Sequence, residues 1–406
     1  MGSARPSHQC GKRHCPPRGR RGTIALPDRG DPSMRFETLA IHAGGAPDAD
    51  TGALAPPIHL STTFEHAPDG RLPHGLIYQR YDNPTQQRLE TALAALDGAR
   101  RSLFFATGMA AAATLLQALP AGGRVVFQHD LYHGVRALAQ REFPRWGLAA
   151  DFVDATDPDA VRAALRPDTA CVWVESPSNP LMQIVDIAAI AELAHAQGAR
   201  LVVDGTFATP ALQQPLALGA DVVLHSATKY LGGHSDVMGG VLNFADDGDL
   251  AARAWEIRKL HGGSANPFAA WLVLRGLRSL PARMAMHCAN ARRVADFLAA
   301  HPRVEAVHYP GLATHPGHAV AARQMRDFGG MLSVQVCGGR EAALAAAGRL
   351  RLFHNATSLG GCESLVEHRA SVEGPQPVSP QNLLRLSIGL EHADDLIADL
   401  AQALGG

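Results

Sequence analysis

The chain has 406 residues, of which 46% are hydrophobic and 18% are charged, and its formal net charge is −1 at pH 7. This composition is typical of a folded globular protein and excludes a wholly disordered chain. The near-neutral charge gives no overall attraction to nucleic acid or an anionic membrane, and no apolar stretch reaches the ~18 residues needed to span a bilayer. We therefore expect a soluble protein that acts on small molecules, without nucleic-acid or membrane partners.

The first 33 residues differ from the rest of the chain. They hold several arginines among proline and glycine, with no apolar stretch of the kind that a secretory signal needs. We expect this segment to be a disordered basic extension. It is either a basic tail or a stretch upstream of a start at Met34, where the patterned sequence begins.

Six cysteines are scattered along the chain without a C-x-x-C pair. Such scatter favours reduced thiols in a cytoplasmic protein over a disulfide framework. Cys10 and Cys15 lie near His8 and His14, but their spacing matches no standard zinc pattern. The sequence thus predicts a cytoplasmic protein with neither disulfides nor a metal site.

Between residues 100 and 230, short apolar runs alternate with helical patterns. This alternation predicts βαβ units and a mostly parallel sheet, an α/β fold. The predicted strands are 103–106, 124–128, 151–154, 171–175, 200–204 and 221–225, and the predicted helices include 108–119 and 186–197. Ligands bind at the carboxyl ends of strands in such sheets, so we expect the functional site there.

Past residue 260 the pattern changes to long helices, followed by separate strands. It predicts helices at 266–277 and 282–300 and strands at 304–308, 331–336 and 384–388, which indicate a smaller α+β domain. We therefore divide the chain into the extension 1–33, an N-terminal arm 34–65, a large α/β domain 66–262 and a C-terminal α+β domain 263–406.

Lysine occurs only at Lys12, Lys229 and Lys259, although arginine is plentiful. Lys229 lies in HSATKYLGGHSD, directly after an apolar strand, where a solvated surface lysine gains nothing. An amine in such a pocket has a lowered pKa and condenses with an aldehyde. The residues alone leave a catalytic and a structural Lys229 equally open, whereas Lys259 fits a solvated helix face.

Two further motifs suit a cofactor with a pyridine ring and a phosphate. Asp204 ends an apolar strand in RLVVDGTFATP, where it could keep a ring nitrogen protonated or merely form a turn. Gly108 in ATGMAA lies where a helix begins, which suits a phosphate. Ser226 and Thr228 beside the lysine add hydroxyl donors.

These motifs resemble the Cys/Met-metabolism family of pyridoxal-phosphate (PLP) enzymes, which includes cystathionine γ-synthase, the cystathionine lyases, methionine γ-lyase and the homoserine sulfhydrylases. The resemblance runs in order from about Met34 to the C-terminus. It extends to YQRYDNPTQQRLE from Tyr78, DLYHG from Asp130, ESPSNPL from Glu175, SLGGCESL from Ser358 and LLRLSIGLEHADDLIADL from Leu383. It implies the aspartate aminotransferase-like, fold type I PLP-dependent transferase fold.

The resemblance also implies roles for individual residues. Lys229 should hold PLP, Asp204 should pair with the ring nitrogen and Tyr132 should stack on the ring. Asn179 should lie near the ring oxygen. The phosphate is expected at Gly108, Met109, Ser226 and Thr228. The substrate α-carboxylate is expected at Arg385, helped by Ser358.

Tyr78 and Arg80 match a pair that reaches the phosphate of the neighbouring subunit's cofactor. The resemblance therefore implies a homotetramer built from dimers with shared active sites. The implied activity is elimination or replacement at the β or γ carbon of sulfur amino acids or activated homoserine, as in cystathionine γ-synthase or the cystathionine lyases. Methionine γ-lyase, O-acyl-homoserine sulfhydrylase and a non-catalytic relative are the alternatives.

Several positions on the substrate side depart from the family pattern. Thr357 replaces the Glu that usually precedes the SLGG serine, and Ala137 replaces an Arg, with Arg136 one position short. The stretch that resembles HPASMTH reads HRASVEGP from His368, and Gly205 replaces the usual Asn. The sequence therefore leaves open whether the enzyme is a lyase or a γ-replacement transferase.

Overall fold

Two β-sheets organise the chain, which a computed structural model describes over residues 34–373 and 377–405. The basic extension 1–33, with its cysteines and histidines, lies outside these residues. The strands of the first sheet are β1 (Arg101–Phe105), β2 (Arg124–Gln128), β3 (Ala149–Val153), β4 (Thr169–Glu175), β5 (Arg200–Asp204), β6 (Val222–Ser226) and β7 (Gly240–Phe244). The second sheet contains β8 (Val304–His308), β9 (Met331–Val336), β10 (His354–Asn355), β11 (Leu365–His368) and β12 (Leu383–Ser387).

Helices cover both sheets. They are α1 (Phe36–His42), α2 (Pro84–Asp97), α3 (Gly108–Gln117), α4 (His133–Trp146), α5 (Pro158–Ala164), α6 (Ile187–Ala196), α7 (Thr209–Leu212), α8 (Asp249–His261), α9 (Pro267–Leu277), α10 (Leu280–Ala299), α11 (His318–Gln324), α12 (Gly339–Arg349), α13 (Arg369–Val372) and α14 (Ala393–Leu404). None of the described helices is long and apolar enough to cross a membrane.

The first sheet has the strand order β1-β7-β6-β5-β4-β2-β3. Its central strands are parallel, and β7 runs antiparallel to both β1 and β6. The predicted mostly parallel sheet is confirmed, and the predicted strands match the observed ones to within two residues at either end. The sequence reading missed β7, because this strand returns directly from the Lys229 loop and no helix precedes it.

The central strands are apolar on both faces, as a sheet covered by helices on both sides requires. On β5, Val202 packs with residues of α3, α4 and α8, whereas the next residue, Val203, packs with residues of α6 on the opposite face. This double burial holds the strands in a fixed register. It also brings the carboxyl ends of β4, β5 and β6 to one edge.

Helix α10 contacts the cores associated with both sheets. Met284 lies in the cluster that includes residues of α2 and α9, while Val294 and Leu298 lie in the cluster beneath the second sheet. The second sheet has the order β10-β11-β12-β9-β8. Because α10 is shared, the domain boundary near residue 262 stays a prediction.

Gly276 of α9 packs directly on the loop that follows Lys229. A Cβ at this position would lie 2.4 Å from the carbonyl oxygen of Leu231 and 2.5 Å from that of Gly232. Both atoms belong to backbone and cannot rotate away. The helix therefore approaches the loop as closely as it does only because residue 276 has no side chain.

We expect Gly276→Ala to destabilise the protein by about 1–3 kcal/mol, because the added methyl group forces the helix and the loop apart. Thermal unfolding followed by circular dichroism measures the change. The matched control is Gly348→Ala in α12, where a Cβ meets nothing within 4 Å. That change should be neutral or stabilising by up to about 1 kcal/mol. Equal midpoints for the two variants would contradict the packing argument.

Candidate active site

A cavity lies at the edge of the first sheet where β4, β5 and β6 end. Most of the predicted site residues line it. They are Gly108, Met109, Tyr132, Asn179, Asp204, Ser226, Thr228, Lys229, Ser358 and Arg385. The loop between β10 and β11 supplies Ser358, and strand β12 supplies Arg385, so the cavity lies between the two sheets.

Lys229 follows β6 in a tight turn, in which its backbone N–H donates to the carbonyl of Ser226. Its Nζ donates to Ser358 Oγ at 2.8 Å. Burial, and then the nearby Arg385 guanidinium, lower the pKa of Lys229 to about 8. The amine is therefore far easier to deprotonate than an ordinary lysine, which a nucleophile toward an aldehyde requires.

Ser358 connects the lysine to the substrate side of the cavity. Its φ of 105° lies in the left-handed region, which is costly for a residue with a side chain. In this conformation its Oγ accepts from Lys229 while its carbonyl oxygen accepts from Arg385 Nη2 at 3.0 Å. The strained backbone therefore holds two chemically important groups at fixed positions.

Arg385 lies on β12 directly opposite Glu367 of β11. Its Nη2 lies 2.9 Å from Glu367 Oε2, and its Nη1 donates to Asn179 Oδ1 at 3.2 Å. Burial lowers the pKa of Arg385 to about 10, although Glu367 opposes the shift. The guanidinium stays charged at neutral pH and faces the cavity, where it can bind a carboxylate.

Arg369 is a residue of this site to which the sequence analysis gave no role. Arg369 begins α13 and lines the cavity, and its side chain is only 2% exposed. Its Nη1 donates at 2.5 Å to the Glu367 oxygen that Arg385 also contacts. The available signal was the departure of HRASVEGP from the family stretch, which puts an arginine where proline is usual.

The other end of the cavity suits a phosphate. Helix α3 begins at Gly108, and the preceding Thr107 caps it by accepting from Ala110 N at 3.0 Å. A Cβ on Gly108 would lie 3.1 Å from Ser226 Oγ, so a side chain here would crowd the end of the helix that glycine leaves open. The free N–H groups of a helix N-terminus bind anions. The hydroxyl of Thr228 lies nearby on the cavity wall.

Two carboxylates lie side by side where β4 and β5 end. Glu175 and Asp204 are register partners, and within the described part of the chain neither forms an ion pair. Burial raises the pKa of both groups, and Asp204 raises that of Glu175 further. Such a pair fits a ligand that brings a positive charge, as a protonated pyridine nitrogen does.

The surroundings of these carboxylates hold them in place. Asp204 Oδ1 accepts from Thr206 N at 2.9 Å, and Glu175 Oε1 accepts from the backbone N–H of Tyr132 at 2.7 Å. Gly205 leaves room for the buried His225, because a Cβ there would lie 3.0 Å from the imidazole Cε1. His225 in turn is anchored on Asp97, whose Oδ2 lies 2.8 Å from Nε2 of the imidazole.

Tyr78 and Arg80 are not among the residues that line the cavity of their own chain. Tyr78 is 43% exposed, and Arg80 donates to the carbonyl of Lys259 at 2.7 Å and lies over the Tyr81 ring. The roles inferred for these two residues, like those of the other site residues, stay predictions.

Arg136 does not take the place of the missing arginine at Ala137. Its guanidinium lies 4.5 Å from the centroid of the Phe152 ring and also donates to the carbonyl of His129. Arg136 is not among the residues that line the cavity. Arg136 is therefore not a charged group on the substrate side.

The donors and charges of the cavity together fit PLP. The cavity offers an amine of lowered pKa for the aldehyde, a helix N-terminus for the phosphate and buried carboxylates for the ring nitrogen. The family profile of Cys/Met metabolism PLP-dependent enzymes matches residues 37–405. The chain belongs to this family.

Relatives in this PLP-dependent family cover nearly the whole described chain. The cystathionine γ-synthase of Mycobacterium tuberculosis is 50% identical over 374 residues, which are 91% of this chain and 96% of the relative. The cystathionine β-lyase of Coxiella burnetii is 44% identical over 91% of this chain and 97% of its own. The crystal structure of CalE6, a methionine γ-lyase from Micromonospora echinospora, superposes with a TM-score of 0.87 at 43% identity, and the match covers 92% of this chain and 99% of the CalE6 chain.

The predicted family, fold class and cofactor are thus confirmed. The protein is a PLP-dependent carbon–sulfur lyase or transferase of the Cys/Met metabolism family. Its sheet topology matches the PLP-dependent transferase fold that the motifs implied.

The lowered pKa of Lys229 should appear in the rate at which cofactor-free protein couples to added PLP. Only the neutral amine attacks the aldehyde, so the rate should rise with pH and level off above about pH 8. The growth of visible absorbance measures it. Lys229→Ala should show no covalent signal, whereas Lys259→Ala should behave as the wild type. A rate that still rises steeply toward pH ~10, where ordinary lysines titrate, would contradict the assignment.

Proposed function

We propose that the protein catalyses γ-replacement, in which the sulfur of L-cysteine displaces the acyloxy group from the γ carbon of an O-acyl-L-homoserine and this group leaves as a carboxylate, as in a cystathionine γ-synthase. The observation that carries this proposal is the contact of Lys229 and Arg385 with the same residue, Ser358. An amino acid bound by its α-carboxylate to the guanidinium has its carbon atoms close to the amine. The 50% identity to a cystathionine γ-synthase supports the choice among the reactions of the family.

In this proposal Arg385 binds and orients the substrate. Its guanidinium and the α-carboxylate form a charge-assisted pair in a buried site, where such pairs are strong and directional. Asn179 Oδ1 and the Ser358 carbonyl keep the guanidinium from rotating. The substrate amino group is thereby directed toward the end of the Lys229 side chain.

Lys229 is proposed as the group that moves protons. When bound, PLP supplies an aldehyde for attachment and a ring that withdraws electrons from the substrate. A free lysine amine with a pKa of about 8 accepts a proton from carbon at neutral pH and later returns it. Ser358 Oγ lies 2.8 Å from Nζ and holds the amine where it can take up this proton and return it.

The remaining residues are proposed to hold the cofactor. Asp204, next to Glu175, keeps the ring nitrogen protonated, and the ring of Tyr132 covers the cofactor ring. The N-terminus of α3 at Gly108 and Met109, with the hydroxyls of Ser226 and Thr228, binds the phosphate. Asn179 forms a hydrogen bond near the ring oxygen and also accepts one from Arg385.

A carbon–sulfur lyase is the second candidate. The 44% identity to a cystathionine β-lyase and the likeness to a methionine γ-lyase structure support it. Thr357 also lines the cavity where the family usually has a Glu. This wall therefore lacks one negatively charged side chain that could bind an amino group at the far end of a long substrate.

A product assay on PLP-loaded enzyme distinguishes the two candidates. We expect cystathionine from O-succinyl- or O-acetyl-L-homoserine plus L-cysteine, with little keto acid released. L-Cystathionine and L-methionine given alone should react slowly. Rapid formation of pyruvate or 2-oxobutyrate from the sulfur amino acids alone would replace the γ-synthase proposal by a lyase.

We further infer that the active enzyme is a homotetramer built from dimers, in which Tyr78 and Arg80 reach the phosphate site of the neighbouring subunit. The exposed side chain of Tyr78 supports this arrangement, as does the absence of both residues from the lining of their own cavity. A cytoplasmic location is also proposed. It is supported by the four described cysteines, which are free thiols.

Mixing two inactive variants tests the shared site. Lys229→Ala and Arg80→Ala should each be inactive alone. After the two are unfolded and refolded together, about a quarter of the active sites should combine an intact Lys229 from one chain with an intact Arg80 from the other. Activity near that level would support sharing. A mixture as inactive as its parents, although light scattering shows mixed oligomers, would refute it.

A further inference from the structure

Arg369 is a buried cation in the cavity wall that the proposed reaction does not use. Its side chain is 2% exposed, and among the described residues its one hydrogen bond runs from Nη1 to Glu367. Its Nη2 lies 3.6 Å from Glu373, beyond good hydrogen-bonding distance. Its Nε has no partner in the described part of the chain. A buried guanidinium normally fills its donors, so this arginine has room for another acceptor.

The two neighbouring carboxylates each have partners besides Arg369. Glu367 Oε2 is shared between Arg369 and Arg385. Glu373 accepts from the hydroxyl of Ser379 and from the backbone N–H groups of Val378 and Ser379, which holds it in a turn. Neither carboxylate therefore satisfies Arg369 in full.

The positive charge of Arg369 is felt in the part of the cavity where Tyr132 is proposed to cover the cofactor ring. Burial and then this charge lower the pKa of His133, which follows Tyr132 and also lines the cavity. Neutral His133 does not compete with Arg369 for an anion. The wall thus presents two separate guanidinium groups, Arg385 and Arg369, joined through one glutamate.

We propose that Arg369 makes the cavity selective for amino acids that carry a second carboxylate at the far end of the side chain or of its leaving group. Arg385 takes the α-carboxylate, and Arg369 takes the distal one. Among acyl-homoserines this favours an ester with a free carboxylate, such as the succinyl ester, over an uncharged one such as the acetyl ester.

This inference rests on the proposed function for its substrate, so its test uses binding rather than turnover. L-2-Aminoadipate and L-norleucine have similar length and no leaving group, and they differ in the distal carboxylate. Isothermal titration calorimetry of the PLP-loaded wild type should give about a tenfold or greater preference for L-2-aminoadipate, as expected for a buried charge-assisted hydrogen bond. An equal or lower affinity for L-2-aminoadipate, or no binding of it, would overturn the inference.

The variant Arg369→Met should abolish this preference, and Arg369→Lys should restore part of it. Both ligands share the α-carboxylate, so any disturbance of Arg385 through Glu367 cancels in the ratio of the two dissociation constants. Arg253→Met, at a half-exposed arginine paired with Glu256, should leave the ratio unchanged. A preference that persists in folded Arg369→Met would assign the distal carboxylate to another group and refute the role of Arg369.

The outcome of the product assay is independent of this ratio. A clear preference for L-2-aminoadipate without cystathionine formation would uphold the distal subsite and reject γ-replacement. Cystathionine formation without the preference would uphold γ-replacement and reject the subsite. With both upheld, kcat/KM for O-succinyl-L-homoserine should exceed that for the acetyl ester, and Arg369→Met should remove most of the difference.

Discussion

The hydrogen bond between Lys229 and Ser358 is the contact on which the active site depends, because it joins the two sheets of the chain at the cavity. Lys229 follows β6 of the first sheet, and Ser358 precedes β11 of the second. The same serine fixes Arg385 through its strained backbone. The amine and the guanidinium therefore keep a constant separation only while the second sheet stays packed against the first, largely through α10.

Charge in the cavity is divided into two regions. The end of β4 and β5 holds Glu175 and Asp204, which form no ion pair with the residues that the structure describes, whereas the wall formed by the second sheet holds Arg385 and Arg369 around Glu367. The charged side chains of each region destabilise the fold when they are buried without a group of opposite charge, because uncompensated charge in a low-dielectric site is costly. PLP, with a cationic ring nitrogen, and an amino acid, with its carboxylate, bring those complements. Binding and the electrostatic stability of the site are thus linked.

Much of the fold and of the cofactor site could be predicted from local patterns. Strands 124–128 and 200–204 were predicted within their observed bounds, because each is a short apolar run with a clear end. β7 was missed because it returns from a loop as an antiparallel partner of β6, and pairing of this kind leaves little mark on the strand itself. Arg369 was noticed as a departure from the family stretch, but its burial beside Glu367 was not foreseeable.

The amino-acid sequence by itself determined the family and the cofactor, and it predicted the residues whose type the chemistry demands: the lysine of the cavity, the strand-end aspartate and the glycine at the start of helix α3. These depend on residue identity next to a local element, which a linear pattern records. Only the tertiary structure decided that Ser358 contacts both Lys229 and Arg385, that Arg136 is not among the cavity-lining residues, and that Arg369 is. Those outcomes depend on packing between segments far apart in the chain, where burial, charge and side-chain direction are set jointly.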